Sequence, residues 1–222
     1  MTNHCLCQWI PSLKVAGLLS GLALLTGCAS TAPNQTASAK VPPLPPGVTL
    51  HQDQDIQGVW LAGGFDFKGY DTLCIAEPVF AAIERPNEAQ IRAMAMRLLV
   101  EQLTEHLRDA KLFATLTTRG DEVKPGSKSL KMENTITEYE RGGGAARYFA
   151  GMFGGGQPVI KVQGRLLDGD KLVCVYELKR SGESAGSRMA GVWMSDEEIQ
   201  RNDIRDLAHD LTDFFLRTAK VP

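Results

Sequence analysis

Apolar residues return every three or four positions from Ile91 through Ala95, Leu98, Leu99, Leu103 and Leu107 to Ala110. This spacing lays one apolar stripe along an α-helix running through Asp109. Asn87 is placed to cap it, with Gln90 reaching back as in a capping box. Ser195-Asp-Glu-Glu198 has the capping-box pattern again, and Ile204, Leu207, Ala208, Leu211, Phe214 and Phe215 follow as a second helical stripe.

Between the helices the period falls to two. Leu130, Met132 and Ile136 alternate with Lys131, Glu133 and Thr137, and Ile160, Val162 and Leu166 alternate with Lys161, Gln163 and Arg165. Leu172, Cys174, Tyr176 and Leu178 fall on one face of a third alternating strand. Asp168-Gly169 between the last two strands is a hairpin signal. Thr72–Ala76, after the turn residues Lys68-Gly69-Tyr70-Asp71, reads as a buried strand, and Leu112–Thr118 as a second strand. The predicted architecture is an α/β (α+β) fold over residues 49–222, with one mixed, largely antiparallel sheet packed by two amphipathic helices.

The first 48 residues follow neither pattern. Lys14 precedes an apolar stretch from Val15 to Leu25, which is 11 residues long. A membrane-crossing helix needs ~20, so this length suits the core of a signal peptide. It ends in Leu25-Thr26-Gly27-Cys28, which resembles the lipobox of bacterial lipoproteins. That resemblance implies removal of residues 1–27 and lipidation of Cys28, with Ala rather than Asp at position 29 directing the protein to the outer membrane. Several acyl chains hold a protein at a membrane stably, whereas one does so only marginally. Residues 28–48 are rich in Ala, Ser, Thr, Gln and Pro and carry a single charge, Lys40. Such a segment reads as an extended tether facing the periplasm.

Charge and cysteines narrow the chemistry. The net charge is −2, with no Lys/Arg run, so nothing attracts nucleic acid. After loss of the leader three cysteines remain, Cys28, Cys74 and Cys174, and none has metal-ligand spacing. Cys74 and Cys174 are candidates for a disulfide closing a loop of about 100 residues, worth up to ~4.7 kcal/mol in the chain-entropy model. Two buried thiols are the leading interpretation, because nothing in the sequence makes the two strands neighbours. His51, His106 and His209 form no metal motif. Ser184, in Gly182-Glu-Ser-Ala-Gly186, sits in the wrong frame for a nucleophile elbow. Asp66, Asp71 and Glu77 lie in loop-rich sequence where carboxylates are usually solvated. These features point away from an enzyme, from metals and from cofactors.

The most unusual stretch is Gly142–Gly156, with seven glycines around Arg147, Tyr148, Phe149, Met152 and Phe153. It lacks the phosphate-cradling glycine motifs. A structural strand connection is the leading interpretation. A contact loop for lipid or a partner protein is the functional alternative.

Ile136-Thr-Glu-Tyr-Glu-Arg-Gly-Gly-Gly-Ala-Ala-Arg-Tyr-Phe-Ala-Gly151, followed by Ile160-Lys-Val-Gln-Gly-Arg-Leu-Leu-Asp168, resembles the pattern of domain of unknown function 4410, a family of bacterial envelope lipoproteins. The resemblance spans Asp71 to about Lys220. The helix ending in Leu112-Phe113 is also similar to the small α/β domains of the TolB amino-terminal and curli-secretion lipoprotein type. These resemblances imply a non-catalytic outer-membrane lipoprotein with a periplasmic domain that binds unidentified envelope proteins. A subunit of an oligomeric secretion or assembly channel, and hence a homo-oligomer, is the alternative.

The lipobox generates a direct test. Changing Cys28 to Ser should abolish palmitate labelling and leave the precursor uncleaved or the protein free of the membrane; unchanged labelling would sink the lipoprotein assignment.

Overall fold

The computed structural model describes residues 43–81, 88–123, 126–140, 142, 158–182 and 195–220, all within the compact unit Thr36–Pro222. Cys28, Asn87, Ser184 and the candidate contact loop residues lie outside the described residues. No helix among the described residues is long and apolar enough to cross a membrane.

Seven strands form one mixed sheet: β1 (Gly58–Leu61), β2 (Thr72–Ile75), β3 (Val79–Phe80), β4 (Thr115–Thr117), β5 (Ser129–Glu140), β6 (Val159–Asp168) and β7 (Lys171–Arg180). Their order is β1-β7-β6-β5-β2-β4, and β3 also pairs with β5. The long ladder β1/β7/β6/β5 is antiparallel, whereas β2 and β3 run parallel to β5, and β4 runs parallel to β2. β2 and β3 lie end to end along β5. Pro78, which has no N–H to give, falls in the gap between them. Ladder bonding resumes on both sides, where Ala76 N donates to Met132 O and Ala81 N to Ile136 O, each at 2.9 Å. Helix α1 (Ala89–Ala110) connects β3 to β4, and α2 (Asp196–Lys220) closes the chain.

Both helices pack on one face of the sheet. The stripe Leu98, Leu99, Leu103 and Leu107 of α1 and Ile204, Leu207, Leu211, Phe214 and Phe215 of α2 meet Leu73, Ile75, Leu130, Met132, Ile136, Ile160, Val162 and Leu166 in one buried cluster. Ser195 caps α2 as its sequence pattern predicts, its Oγ accepting from Glu198 N at 3.2 Å. At α1 the cap position is Glu88, with no side-chain cap bond. The helix ends at Lys111, whose φ of 53° is left-handed.

Two bulges adjust the alternation. Thr137 is the extra residue on β5 opposite β6, which keeps both Ile136 and Tyr139 in the core. Val173 is the extra residue on β7, so Cys174, Tyr176 and Leu178 stay in the core. Leu172 is thereby moved to the other face, a correction to the uniform alternation expected for this strand, because each inserted residue reverses the side on which its neighbours point. The turn between β6 and β7 is Gly169-Asp170, with Gly169 at φ 57° as a tight hairpin requires.

One close approach fixes the middle of the ladder. A Cβ on Gly164 would lie 2.0 Å from Tyr176 Cζ, so the tyrosine ring lies directly on the β6 backbone. There the Tyr176 hydroxyl donates to Asn134 Oδ1 at 2.7 Å. Burial pushes the Tyr176 hydroxyl pKa well up, so the group is a neutral donor at physiological pH.

Elements outside the main pattern tie down the ends. Asp66 Oδ1 accepts from Lys68 N at 2.9 Å and starts a 3-10 turn that drops Phe67 into the core, its ring 4.6 Å from that of Phe215. Arg217 near the end of α2 pairs with Asp53 at 2.6 Å and with Asp55, holding the segment before β1.

The stripe assignment is checked by Leu103→Ala. Leu103 is 1% exposed, and removal of a buried leucine side chain costs about 2–5 kcal/mol. A urea melt should show a loss in that range, and a loss below ~0.5 kcal/mol would mean that the helix faces elsewhere.

Candidate functional site

Because both helices pack on one side, the opposite face of the sheet carries no helix among the described residues. Its residues follow from the register. One row across the strands is Trp60, Val175, Arg165 and Glu133, and a second is Leu172, Leu167, Lys131, Cys74 and Thr117. A third is Glu177, Gln163, Thr135 and Val79.

The polar members of this face satisfy each other across strands. Glu133 accepts from Arg165 Nε at 2.6 Å and pairs with Lys131 Nζ at 2.6 Å. Burial presses the Glu133 carboxyl upward, but the hydrogen bonds and charges of Lys131 and Arg165 outweigh it and hold the pKa below the ordinary value. Lys161 pairs with Glu177 at 3.2 Å and Lys179 with Glu138 at 3.6 Å. Exposed pairs of this kind contribute little to stability, with a median of ~0–1 kcal/mol. Their effect is to set a fixed pattern of alternating charge.

Among these pairs lies a groove of about 510 Å³, lined by the apolar side chains of Leu167, Leu172, Val175 and Val79 and by Pro43, Leu44 and Pro45 from the tether. Leu44 at 39% and Val79 at 45% are the exposed large hydrophobic residues among those described, and both border this groove. Two exposed apolar residues on one concave surface mark a contact site better than either does alone.

A second, more polar cavity of about 400 Å³ lies beside the β6–β7 turn and includes Tyr70, Lys128, Asp168 and Lys171. The Tyr70 hydroxyl donates to Asp168 Oδ2 at 2.8 Å. Burial, then the bond to Asp168 and its charge, push the Tyr70 pKa up to about 12. A phenol held neutral against a carboxylate serves as a clamp between the β1–β2 connection and the hairpin turn.

Other residues singled out from sequence have structural places. Asp66 caps a turn, and Asp71 Oδ1 accepts from the Thr72 hydroxyl at 3.2 Å. His51 exchanges backbone hydrogen bonds with Val59, both 2.8 Å, and so covers the outer edge of β1. His106 and His209 stack edge to face across the two helices with ring centroids 5.7 Å apart. Among the described residues no group of three or more His, Cys, Asp or Glu side chains could hold a metal ion. Arg147, Tyr148, Phe149, Met152 and Phe153 fall in the chain joining Glu140 to Val159, which are paired neighbours on β5 and β6. The groove itself was missed from sequence. Its one available signal was Val79, an apolar residue outside both helical stripes.

A family model for a domain of unknown function (DUF4410) matches residues 64–196, more than half of the chain. The chain belongs to that family. The matched DUF4410 region takes in β2 to β7 and α1, and ends at the first residue of α2. No curated protein matches the chain. Among solved structures, the chain is similar to a PelC dodecamer from Paraburkholderia phytofirmans at 13% identity, over 68% of this chain and 95% of that one, with a TM-score of 0.42. It is also similar to a Xanthomonas campestris protein of DUF330 at 15% identity, over 72% of this chain and 91% of that one, with a TM-score of 0.41.

The DUF4410 domain decides between the two expectations for Cys74 and Cys174. Cys74 and Cys174 are free thiols, not a disulfide. Cys74 is on β2 and Cys174 on β7, with β5 and β6 between them. Three strand spacings of ~4.8 Å separate the two positions by roughly 14 Å, twice the ~7 Å that a bridge tolerates. They also point to opposite faces, Cys174 into the helix-covered core and Cys74 to the open side. Burial raises both thiol pKa values, so neither is a reactive thiolate. Alkylation in denaturant without reductant should therefore modify both cysteines, and the native protein should react slowly. A requirement for reductant would restore the disulfide.

Proposed function

We propose that this DUF4410 protein is a non-catalytic lipoprotein, held by Cys28 at the outer membrane, whose open sheet face binds another protein of the envelope. The observation that carries this reading is the coincidence of Leu44 and Val79, both exposed and apolar, on a groove in the sheet face that carries no helix among the described residues. An apolar centre rimmed by paired charges has the anatomy of a protein contact surface. The lipobox and the tether support the address. The acids and bases of the face support a binding rather than a catalytic role, since Glu133, Lys131 and Arg165 are engaged with one another.

The test is crosslinking in intact cells, with adducts identified by mass spectrometry. Val79→Asp introduces a charge at a 45% exposed position, so stability should change by no more than ~0.5 kcal/mol. The variant should lose the adduct formed by the unaltered protein, while Glu101→Lys, on the helix side, should keep it. An adduct that survives Val79→Asp, or that disappears with Glu101→Lys instead, would overturn the assignment of the face.

A further inference from the structure

We infer that His106 and His209 form a surface site for one divalent transition-metal ion, of the zinc, nickel or copper(II) class, that ties α1 to α2. The site is independent of the open sheet face and of the docking role proposed above.

Neither histidine signals a metal in sequence, since the two lie on different helices with no ligand spacing between them. Packing of α1 against α2 brings their rings edge to face, with centroids 5.7 Å apart. An imidazole nitrogen sits about 2.0–2.1 Å from zinc, which places the centroids of two rings sharing one ion roughly 4.5–5.5 Å apart. The observed spacing is close to that range. His209, whose side chain is 59% exposed, has room to turn about its χ angles and complete the approach.

The surroundings favour a cation. Asp213, one turn after His209 on the same face of α2, places Oδ2 3.4 Å from His209 Nδ1. The neighbouring acids are engaged elsewhere, Asp206 with Arg205 at 3.6 Å and Asp210 with Arg180. A carboxylate beside Nδ1 holds the proton on that nitrogen and leaves the Nε2 lone pair as the ligand, the outer-shell arrangement common to metal-bound histidines. Asp213 is thus a positioning residue and not a third ligand, in keeping with the absence of any three-ligand group among the described residues.

Ligand chemistry sets the class of ion. Imidazole suits zinc, copper and nickel, whereas calcium and magnesium take oxygen donors. At this exposed position water completes the coordination shell. An ion that binds the folded chain and not the unfolded one stabilises the fold by mass action, and here its two protein bonds join α1 to α2.

The test is isothermal titration of zinc chloride into the full-length lipoprotein in detergent, after treatment with chelator, together with thermal melts. One zinc ion should bind per chain and raise the melting temperature, while calcium and magnesium at the same concentration do neither. Asp213→Asn should weaken zinc binding about tenfold, as loss of an outer-shell partner does. His106→Phe and His209→Phe keep an aromatic ring at the contact but remove the ligand, and each should weaken binding further. Where a Phe variant melts lower without metal, the Gln variant at the same position takes its place. Cys74→Ser and His51→Gln should bind zinc as the unaltered protein does. No saturable binding, undiminished affinity in either ligand variant, loss of binding with Cys74→Ser instead, or one ion per two chains would each overturn the site.

Discussion

Two helices cover the same side of the sheet, and the strands must therefore send their apolar residues one way and their charges the other. This constraint governs β5, β6 and β7 most directly. Tyr176 on β7 lies over Gly164 on β6 and bonds Asn134 on β5. Any side chain at position 164 would lift the ring off the backbone and break that bond. The three strands are thus locked in register by one contact as well as by their ladders.

The bulges at Thr137 and Val173 show how the same constraint tolerates irregularity. Each adds one residue on one strand, and each preserves burial on the helix side. The consequence falls on the open side, where Leu172 is displaced from the core alternation into the groove floor. An apolar patch on this face is in this sense a by-product of keeping the core intact. Burying a Leu side chain fully is worth about 1.5–3 kcal/mol, so Leu172 favours any segment that covers it.

The open face and the covered face also differ in how their polar groups are held. Asp210 on α2 pairs with Arg180 in a half-buried setting, and desolvation raises its pKa despite the arginine. On the open face the carboxylate of Glu133 is lowered instead, because Lys131 and Arg165 outweigh burial. As pH falls, the stabilisation from Glu133 is lost through its depressed folded-state pKa, whereas Asp210 becomes easier to accommodate as it protonates. The Glu133 carboxylate is therefore held charged, between Lys131 and Arg165, to lower pH than an isolated glutamate.

Sequence alone determined the two helices, the three long strands and their inward residues other than Leu172, because period 3.6 and period 2 are local properties of the chain. The Ser195 cap and the hairpin turn signalled by Asp168-Gly169 were legible for the same reason. The family pattern was also carried in local sequence, around Ile136–Asp168. Tertiary structure alone decided the rest. β1 and β3 are four and two residues long, too short to show a period, and exist because Cys174–Glu177 and Thr135–Ile136 offer paired edges. Phe67 is buried by a capped turn against Phe215, nearly 150 positions away, which no local signal encodes. The separation of Cys74 from Cys174 depended on which strands lie between them. The groove likewise depended on both helices choosing one side, a choice made by packing and not by the pattern of any single element.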